Sequence, residues 1–425
     1  MCHQFLMWTI MSNYIDDFQN SDMIWNPAFQ PLNIDKLDDH AKQVLAFNEV
    51  YKTVVDNDVE EYIRSVCDPY YGKKRNGRKC YDPVFMIKLS ILQRMCGHND
   101  ELMAGLLHHE GVIQYVLGIY SDRKLPSRRT IWKYNELFRK HKVDEYILEL
   151  VNKKVIDECK TGIAVAIDSS FVEAPKQRNK RQENEQIKQG HGNELWHDNQ
   201  DKKSHKDIDG SWTKKRGVSY YGYKLHAKID EDTKLILKHT TTTAKVADNS
   251  QISKLIDASD YGFICHADSG YLCKKNSNGK SVTDELTEKY KIDFNICERP
   301  KGKNKTYTEA QKLYNLTISP ARCRVEHVFG YMEGCMGGLK TWSVGMARAK
   351  YQCNLMVAIY NMCRFAQLLR YNDYLINNLG EYQELNSKLS DILGDTIEYD
   401  SDYIPSTIKY ADEYLKAISN KNFVA

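Results

Sequence analysis

Two apolar runs of this chain end in an aspartate: Asp168 closes "GIAVAID" and Asp268 follows "FICHA". A carboxylate there is costly unless it is hydrogen-bonded, faces water or meets a cation. A third acid, Glu326, sits in "SPARCRVEHVFGYME", where Val325, Val328 or Phe329, and Met332 repeat at helical spacing and Arg322 lies four residues earlier on the same face. Three carboxylates converging on one point would raise one another's pKa values unless cations arrived. Magnesium suits that need, because it prefers oxygen ligands and completes its shell with water or substrate phosphate. Two such ions about 3.5 to 4 Å apart promote in-line displacement at phosphorus. The chemistry expected of Asp168, Asp268 and Glu326 is therefore phosphodiester hydrolysis and strand transfer on a pair of Mg2+ ions. Asp168 would bridge both ions, with Asp268 on one and Glu326 on the other, and Mn2+ is the expected substitute.

Taken singly, each aspartate reads equally well as a turn or cap residue after a strand, so the elements that position them matter. After about residue 160, "GIAVAIDSS", "SYYGYKLHAKID" and "LILKHTTTTA" read as strands, the last two joined by the turn "DEDT". "NSQISKLIDAS" and "SVTDELTEKY" read as helices before the strands "FICHA" and "DFNICERP". Three strands, helix, strand, helix, strand, helix is the order of an α/β, RNase H-like mixed sheet flanked by helices. Its parallel strands would bring both aspartates to one carboxyl edge. The Glu326 helix is expected to start with Ser319 as cap and Pro320 in its first turn. Upstream, "DPVFMIKLSILQRM", "NDELMAGLLHHEGVIQYVLGI" and "PSRRTIWKYNELFRKH" read as helices of a compact all-helical domain. The expected organisation is an N-terminal segment over 1–74, a helical domain over 75–150, a catalytic domain over 160–370 with a polar insertion near 176–216, and an acidic helical tail over 371–425.

Composition narrows the class. At 42% hydrophobic and 28% charged over 425 residues, the chain reads as globular, and no apolar run approaches the roughly 20 residues of a membrane span. The twelve cysteines form no CxxC pair and no zinc-finger spacing, which fits reduced thiols in a cytoplasmic protein. Lys and Arg outnumber Asp and Glu by thirteen to seven over 176–228 and by ten to three over 299–350, whereas 371–425 reverses the balance to four against ten. Basic blocks beside an acidic end suit contact with a polyanion, or simply a solvated charged face.

"IDSSFVEAP", "YYGYKLHAKID", "HADSGY" and "RCRVEHVFGYME", in that order, resemble the catalytic blocks of bacterial insertion-sequence DDE transposases of the insertion sequence five type. "YDPVFMIKLSILQRMCGHNDELMAGLL" is similar to their helical amino-terminal domain, and "YQCNLMVAIYNMCRFAQLL" to the helix after their catalytic glutamate; the likeness runs from about 75 to 370. The resemblance implies that Asp168, Asp268 and Glu326 are a metal-binding triad that cuts at transposon ends and joins the freed 3′-hydroxyl to target DNA. It implies double-stranded DNA as partner, both terminal inverted repeats and target, a homodimer in the DNA complex, and work in the bacterial cytoplasm at the nucleoid. The chain departs from the family in one block. Where a tyrosine and a lysine are usual beside Arg322 and Glu326, it carries Ser319 and Glu333.

Further candidates for contact with DNA are Arg322, which would orient a carboxylate or the substrate, Arg324, and Lys340, which could replace the missing lysine only if the backbone turns at "GCMGG". Lys224 and His226, expected on one strand face near Asp168, read either as phosphate contacts or as sheet-edge polarity. Arg128, Arg129 and Lys133 would line a DNA-facing helix or a plain surface one. Trp196, Trp212 and Trp342 read as stacking or packing residues. Two other functions fit the same fold: a nuclease without transposition, and a DNA-binding protein whose catalysis has decayed.

Overall fold

The computed structural model describes residues 34–71, 80–119, 125–159, 161–215, 217–300, 306–371 and 382–393. Most of the expected 1–74 segment's start, the boundary loop at 72–79 and the acidic tail from 394 lie outside the described residues.

Helices come first: α1 (Asp39–Val54), α2 (Asn57–Tyr71), α3 (Pro83–Met95), α4 (Asp100–Leu106), α5 (Gly111–Leu117), α6 (Arg128–Lys140) and α7 (Val143–Val151). In α3, Asp82 caps by accepting from the Val84 N–H and Pro83 takes the first turn, where its missing N–H costs nothing. Asn99 caps α4 through the N–H groups of Glu101 and Leu102. The single helix expected over this stretch is instead two. After Leu106 the backbone tightens into three-residue bonds, His108 N–H to Gly105 O and His109 N–H to Leu106 O, and α5 starts afresh.

The sheet follows. β1 (Ala164–Glu173) pairs antiparallel with β3 (Val218–Asp230), whose first residues carry β2 (Ser211–Lys215) and whose later residues carry β4 (Ile236–Thr243). On its other side β1 pairs parallel with β5 (Ile264–Ala267), and β5 with β6 (Asp293–Ile296). This is the expected mixed sheet of RNase H-like order, with β2 as an added short strand. The polar insertion also folds into α8 (Arg181–Lys188) and α9 (Gln200–Ser204) instead of running as a bare loop. Between β4 and β5 the expected helix shrinks to a 3-10 turn at Asp248–Gln251 and the four-residue α10 (Ile252–Leu255). Asp257 ends it: its carboxylate takes the Ser259 N–H, a local bond that competes with helix continuation.

α11 (Val282–Tyr290) leads into β6, and α12 (Glu309–Cys335) carries Glu326. The expected start at Ser319 is corrected here. Thr308 is the cap, with its hydroxyl on the Gln311 N–H and the Gln311 side chain returning to the Thr308 N–H, so Pro320 lies inside the helix. The bond Pro320 removes would have gone to the carbonyl of Leu316, a residue 70% exposed and open to water. The buried α13 (Met346–Tyr371) follows, with Leu355, Ile359, Met362, Ala366 and Leu369 in the core as expected, then α14 (Gln383–Leu393).

Two cores clamp the sheet. On one face Ala166 and Val172 of β1 and Leu225, Ala227 and Ile229 of β3 join α12, α13 and the N-terminal helices in one continuous cluster. On the other, Val165, Ile167, Cys265 and Ala267 pack with Ile252, Leu255 and Leu286. Helical region and sheet therefore share a core. They also touch backbone to backbone after α3 and α12: a Cβ built on Gly97 would stand 2.3 Å from the Cα of Gly337, and both residues have positive φ, 66° and 67°. Buried Arg94 adds hydrogen bonds to Lys340 O at 3.0 Å and Gly338 O at 2.6 Å. Gly97→Ala should lower the melting temperature by several degrees, since a left-handed conformation alone costs about 1–2 kcal/mol. Gly105→Ala, with open space around it, should leave melting unchanged or raise it slightly.

Candidate active site

The register of β1 on β5 pairs Ile167 with Ala267. Both side chains belong to the smaller core. Successive side chains of a strand alternate faces, so the next residues, Asp168 and Asp268, turn side by side to the face that α12 covers. Ala166, two before Asp168, agrees by packing in the larger core. Each aspartate has one oxygen tied to a nearby backbone N–H: Asp168 Oδ1 takes that of Ser169 at 2.7 Å, and Asp268 Oδ1 that of Gly270 at 2.7 Å. No donor among the described residues reaches the second oxygen of Asp168.

α12 packs across this edge on β1 and β5. At its nearer end Arg322 is an electrostatic neighbour of Cys297, the residue after β6, and Cys297 is in turn a neighbour of Asp268. Further along, Glu333 accepts from Ser170 Oγ at 3.5 Å, on β1 beyond Asp168. Arg322, Glu326 and Glu333 are four and seven residues apart and share one helical stripe. Glu326 lies on this stripe between Arg322 and Glu333.

Burial pushes the Asp168 carboxyl up to about 7, and the neighbouring charges of Asp268 and Asp248 add to that. Such a group welcomes a divalent cation. Glu326, with its side chain 52% exposed, is instead held by Arg322 at 2.6 Å. Among the described residues no three His, Cys, Asp or Glu side chains stand together as a group that could hold a metal ion.

The remaining candidates scatter. Lys224 and His226 need correction: on β3 they stand beside Phe171 and Ser169, so they point to the face opposite Asp168, and both are buried. Lys224 Nζ binds Asp248 Oδ1 at 2.9 Å and Val246 O at 2.9 Å; His226 Nε2 meets Thr242 Oγ1 at 2.8 Å, and burial holds its pKa down at about 4. Neither presents charge to a phosphate. Arg324 is half-buried on α12, close in charge to Lys234 and His327. The backbone does turn at Gly337 and Gly338, and Lys340 Nζ lies 5.7 Å from the Trp342 ring centre. Arg128, Arg129 and Lys133 are exposed on α6, with Arg128 3.5 Å from Glu101. Trp196 donates to Glu183, while Trp212 is 55% exposed against Tyr221.

The sequence reading passed over Asp248, Ser169, Tyr271 and Lys215. Lys215 is the cation that lowers the Asp168 pKa, and the Tyr271 hydroxyl is buried without a hydrogen bond, with Asp168, Asp248 and Asp268 as its nearest charges. Asp248, in "VADNSQ", looks like any helix cap.

Comparison with known proteins gives two family matches. The family described as a transposase DDE domain matches residues 160–362, and a transposase domain (DUF772) matches residues 36–137. Among solved structures, the cryo-EM structure of the piggyBac transposase synaptic complex with hairpin DNA aligns at 10% identity and a TM-score of 0.41, over 88% of this chain and 85% of that one.

Asp168 sets a pH dependence. Its pKa is raised on folding, from 3.8 to about 7, so between those values the folded chain keeps a proton that the unfolded chain has released. The stability this group contributes is complete below the window and is lost as pH rises through it. Asp168→Asn should therefore raise the melting temperature by several degrees at pH 8, and flatten the slope between pH 5 and 8, read by thermal unfolding in chelator.

Proposed function

Because the chain belongs to the DDE transposase family, we propose that Asp168, Asp268 and Glu326 are its metal-binding carboxylates, with Mg2+ as working ion and Mn2+ as substitute. The activity is DNA strand cleavage and strand transfer dependent on divalent metal. What supports the residue assignment is the parallel register of Ile167 with Ala267, which sets the two aspartates side by side where β1 and β5 part, on the face that α12 packs against.

Bound divalent ions activate the attacking oxygen and stabilise the departing one. In each step a bond forms from phosphorus to the attacking oxygen, water in cleavage and the freed 3′-hydroxyl in joining, while the bond to the leaving oxygen breaks and that oxygen gains a proton. Asp168 is held by the Ser169 N–H through one oxygen and offers the other. Asp268 is held likewise by Gly270. Glu326 trades the Arg322 guanidinium for the site, which releases Arg322 toward a phosphate oxygen. The substrates are the inverted repeats at the element's ends and target duplex, brought together by a dimer; the exposed cations Arg128, Arg129 and Lys133 contact phosphates, as do Arg324 and Lys340. No described helix is long and apolar enough to cross a membrane, and the setting of this reading is the bacterial cytoplasm, on the nucleoid.

One observation favours a second reading. Glu333 adds an exposed acid beside Ser170 on the face that DNA must approach, which suits a chain that binds ends without cutting. Incubating the chain with Mg2+ and the DNA flanking its own gene separates the possibilities: cut and joined products are expected, cutting alone marks a nuclease, and binding without products marks decayed catalysis. Asp168→Asn, Asp268→Asn and Glu326→Gln should each slow cleavage by about 10³-fold or more, the scale of several kcal/mol of charge stabilisation, while duplex binding, which Lys and Arg contacts to phosphate supply, is retained. Near-normal cleavage by one variant removes that residue from the site. Replacing both Arg129 and Lys133 by Ala should weaken binding alike for all sequences and reduce the salt slope by about 2.

A further inference from the structure

Behind β1, on the face away from α12, lies a second carboxylate that the cleavage chemistry does not use. Asp248 Oδ1 accepts from Ser169 Oγ at 2.8 Å and from Lys224 Nζ at 2.9 Å, and stands 3.7 Å from His226 Nδ1, which has no hydrogen-bond partner. Lys224 is 8% exposed and His226 fully buried. Three polar groups on two elements thus converge on one oxygen. Ser169 is the link to the site: its hydroxyl is fastened to Asp248 behind the strand, and its backbone N–H holds Asp168 Oδ1 in front.

We infer that Asp248 is a positioning residue that acts through Ser169 to fix the Asp168 carboxylate in the orientation that receives the divalent cation, while Lys224 balances its charge. The inference rests on the assignment of Asp168 to the metal site. Loss of Asp248 would also leave the buried Lys224 without its acid on the far face of the sheet, so it weakens metal binding by freeing Ser169 and by adding an uncompensated positive charge. Partners that hold a ligating carboxylate are commonly worth about 10–100-fold in metal affinity.

The test measures Mn2+ binding to the full chain by the EPR signal of the free ion, alongside melting in chelator, so it does not depend on turnover. Ser169→Ala and Asp248→Asn are each expected to bind Mn2+ about 10-fold or more weakly, whereas Ser169→Thr, which keeps the hydroxyl, stays within about 2-fold. Melting of Ser169→Ala and Ser169→Thr should agree within a few degrees, which a purely structural role for the hydroxyl would not allow together with the metal defect. If Asp248→Asn fails to fold around the stranded Lys224, Ser169→Ala still decides. Parent-like Mn2+ affinity in Ser169→Ala overturns the inference and leaves the triad standing. A parent chain that binds no Mn2+ at all overturns both.

Discussion

The parallel pairing of β1 with β5 governs the site. Four pairs, Ala164 with Ile264 through Ile167 with Ala267, decide which side chains leave the sheet together. A slip of one residue would turn Asp268 into the smaller core and Ala267 toward α12, exchanging a carboxylate for a methyl group. Apolar neighbours guard against that slip. Val165, Ile167, Cys265 and Ala267 all lie fully buried, so that one-residue slip would bury an acid among them. The pairing of β1 with β5 stops at Ile167 and Ala267, so the next residue of each strand, Asp168 and Asp268, lies where the two strands part.

Delivering the third acid is a problem of helix placement. α12 reaches back to Thr308, far beyond its Arg322–Glu326–Glu333 stripe, and its first half carries Leu313 and Leu316 in solvent. Its second half is clamped by Val325, Val328, Phe329 and Met332 in the larger core. Beyond it, the backbone crossing of Gly97 and Gly337 and the Arg94 bonds tie its end to α3. The N-terminal helices thus help to hold the Glu326 helix. α13 completes the clamp: Asn361 exchanges two hydrogen bonds of 2.9 Å with the backbone of Ile236, filling at the start of β4 the place of a strand partner.

What could be read from the sequence follows from what local patterns encode. Strand order, helical flanks and the common edge of Asp168 and Asp268 were legible because apolar runs and their terminal acids are written consecutively. The start of α12 was not, since Pro320 carries the usual mark of a first turn while the Thr308–Gln311 capping box lies among polar residues with no apolar period to announce it. The face of Lys224 and His226 was misjudged for a different reason. Spacing within one strand says that two residues share a face, but which face depends on cross-strand pairs, here Phe171 with Lys224 and Ser169 with His226. Asp248 escaped because its partners are 22 to 79 residues away.

That hidden face has a physical logic of its own. Lys224, His226 and Lys228 form a row along β3, all buried, and burying cations is costly unless each meets an acid. Two of them do: Lys224 meets Asp248 at 2.9 Å and Lys228 meets Asp260 at 2.7 Å. Asp248 and Asp260 both come from the segment between β4 and β5, so the ion pairs fasten that segment to the back of β3 just before the chain enters β5. The carboxylates there are spent on lysines. In front, no lysine or arginine among the described residues forms an ion pair with Asp168 or Asp268, and burial together with the charges of Asp268 and Asp248 raises the Asp168 pKa despite Lys215. The sheet thus separates its acids into a set neutralised by lysines, which locks the fold, and a set without such ion pairs where β1 and β5 part.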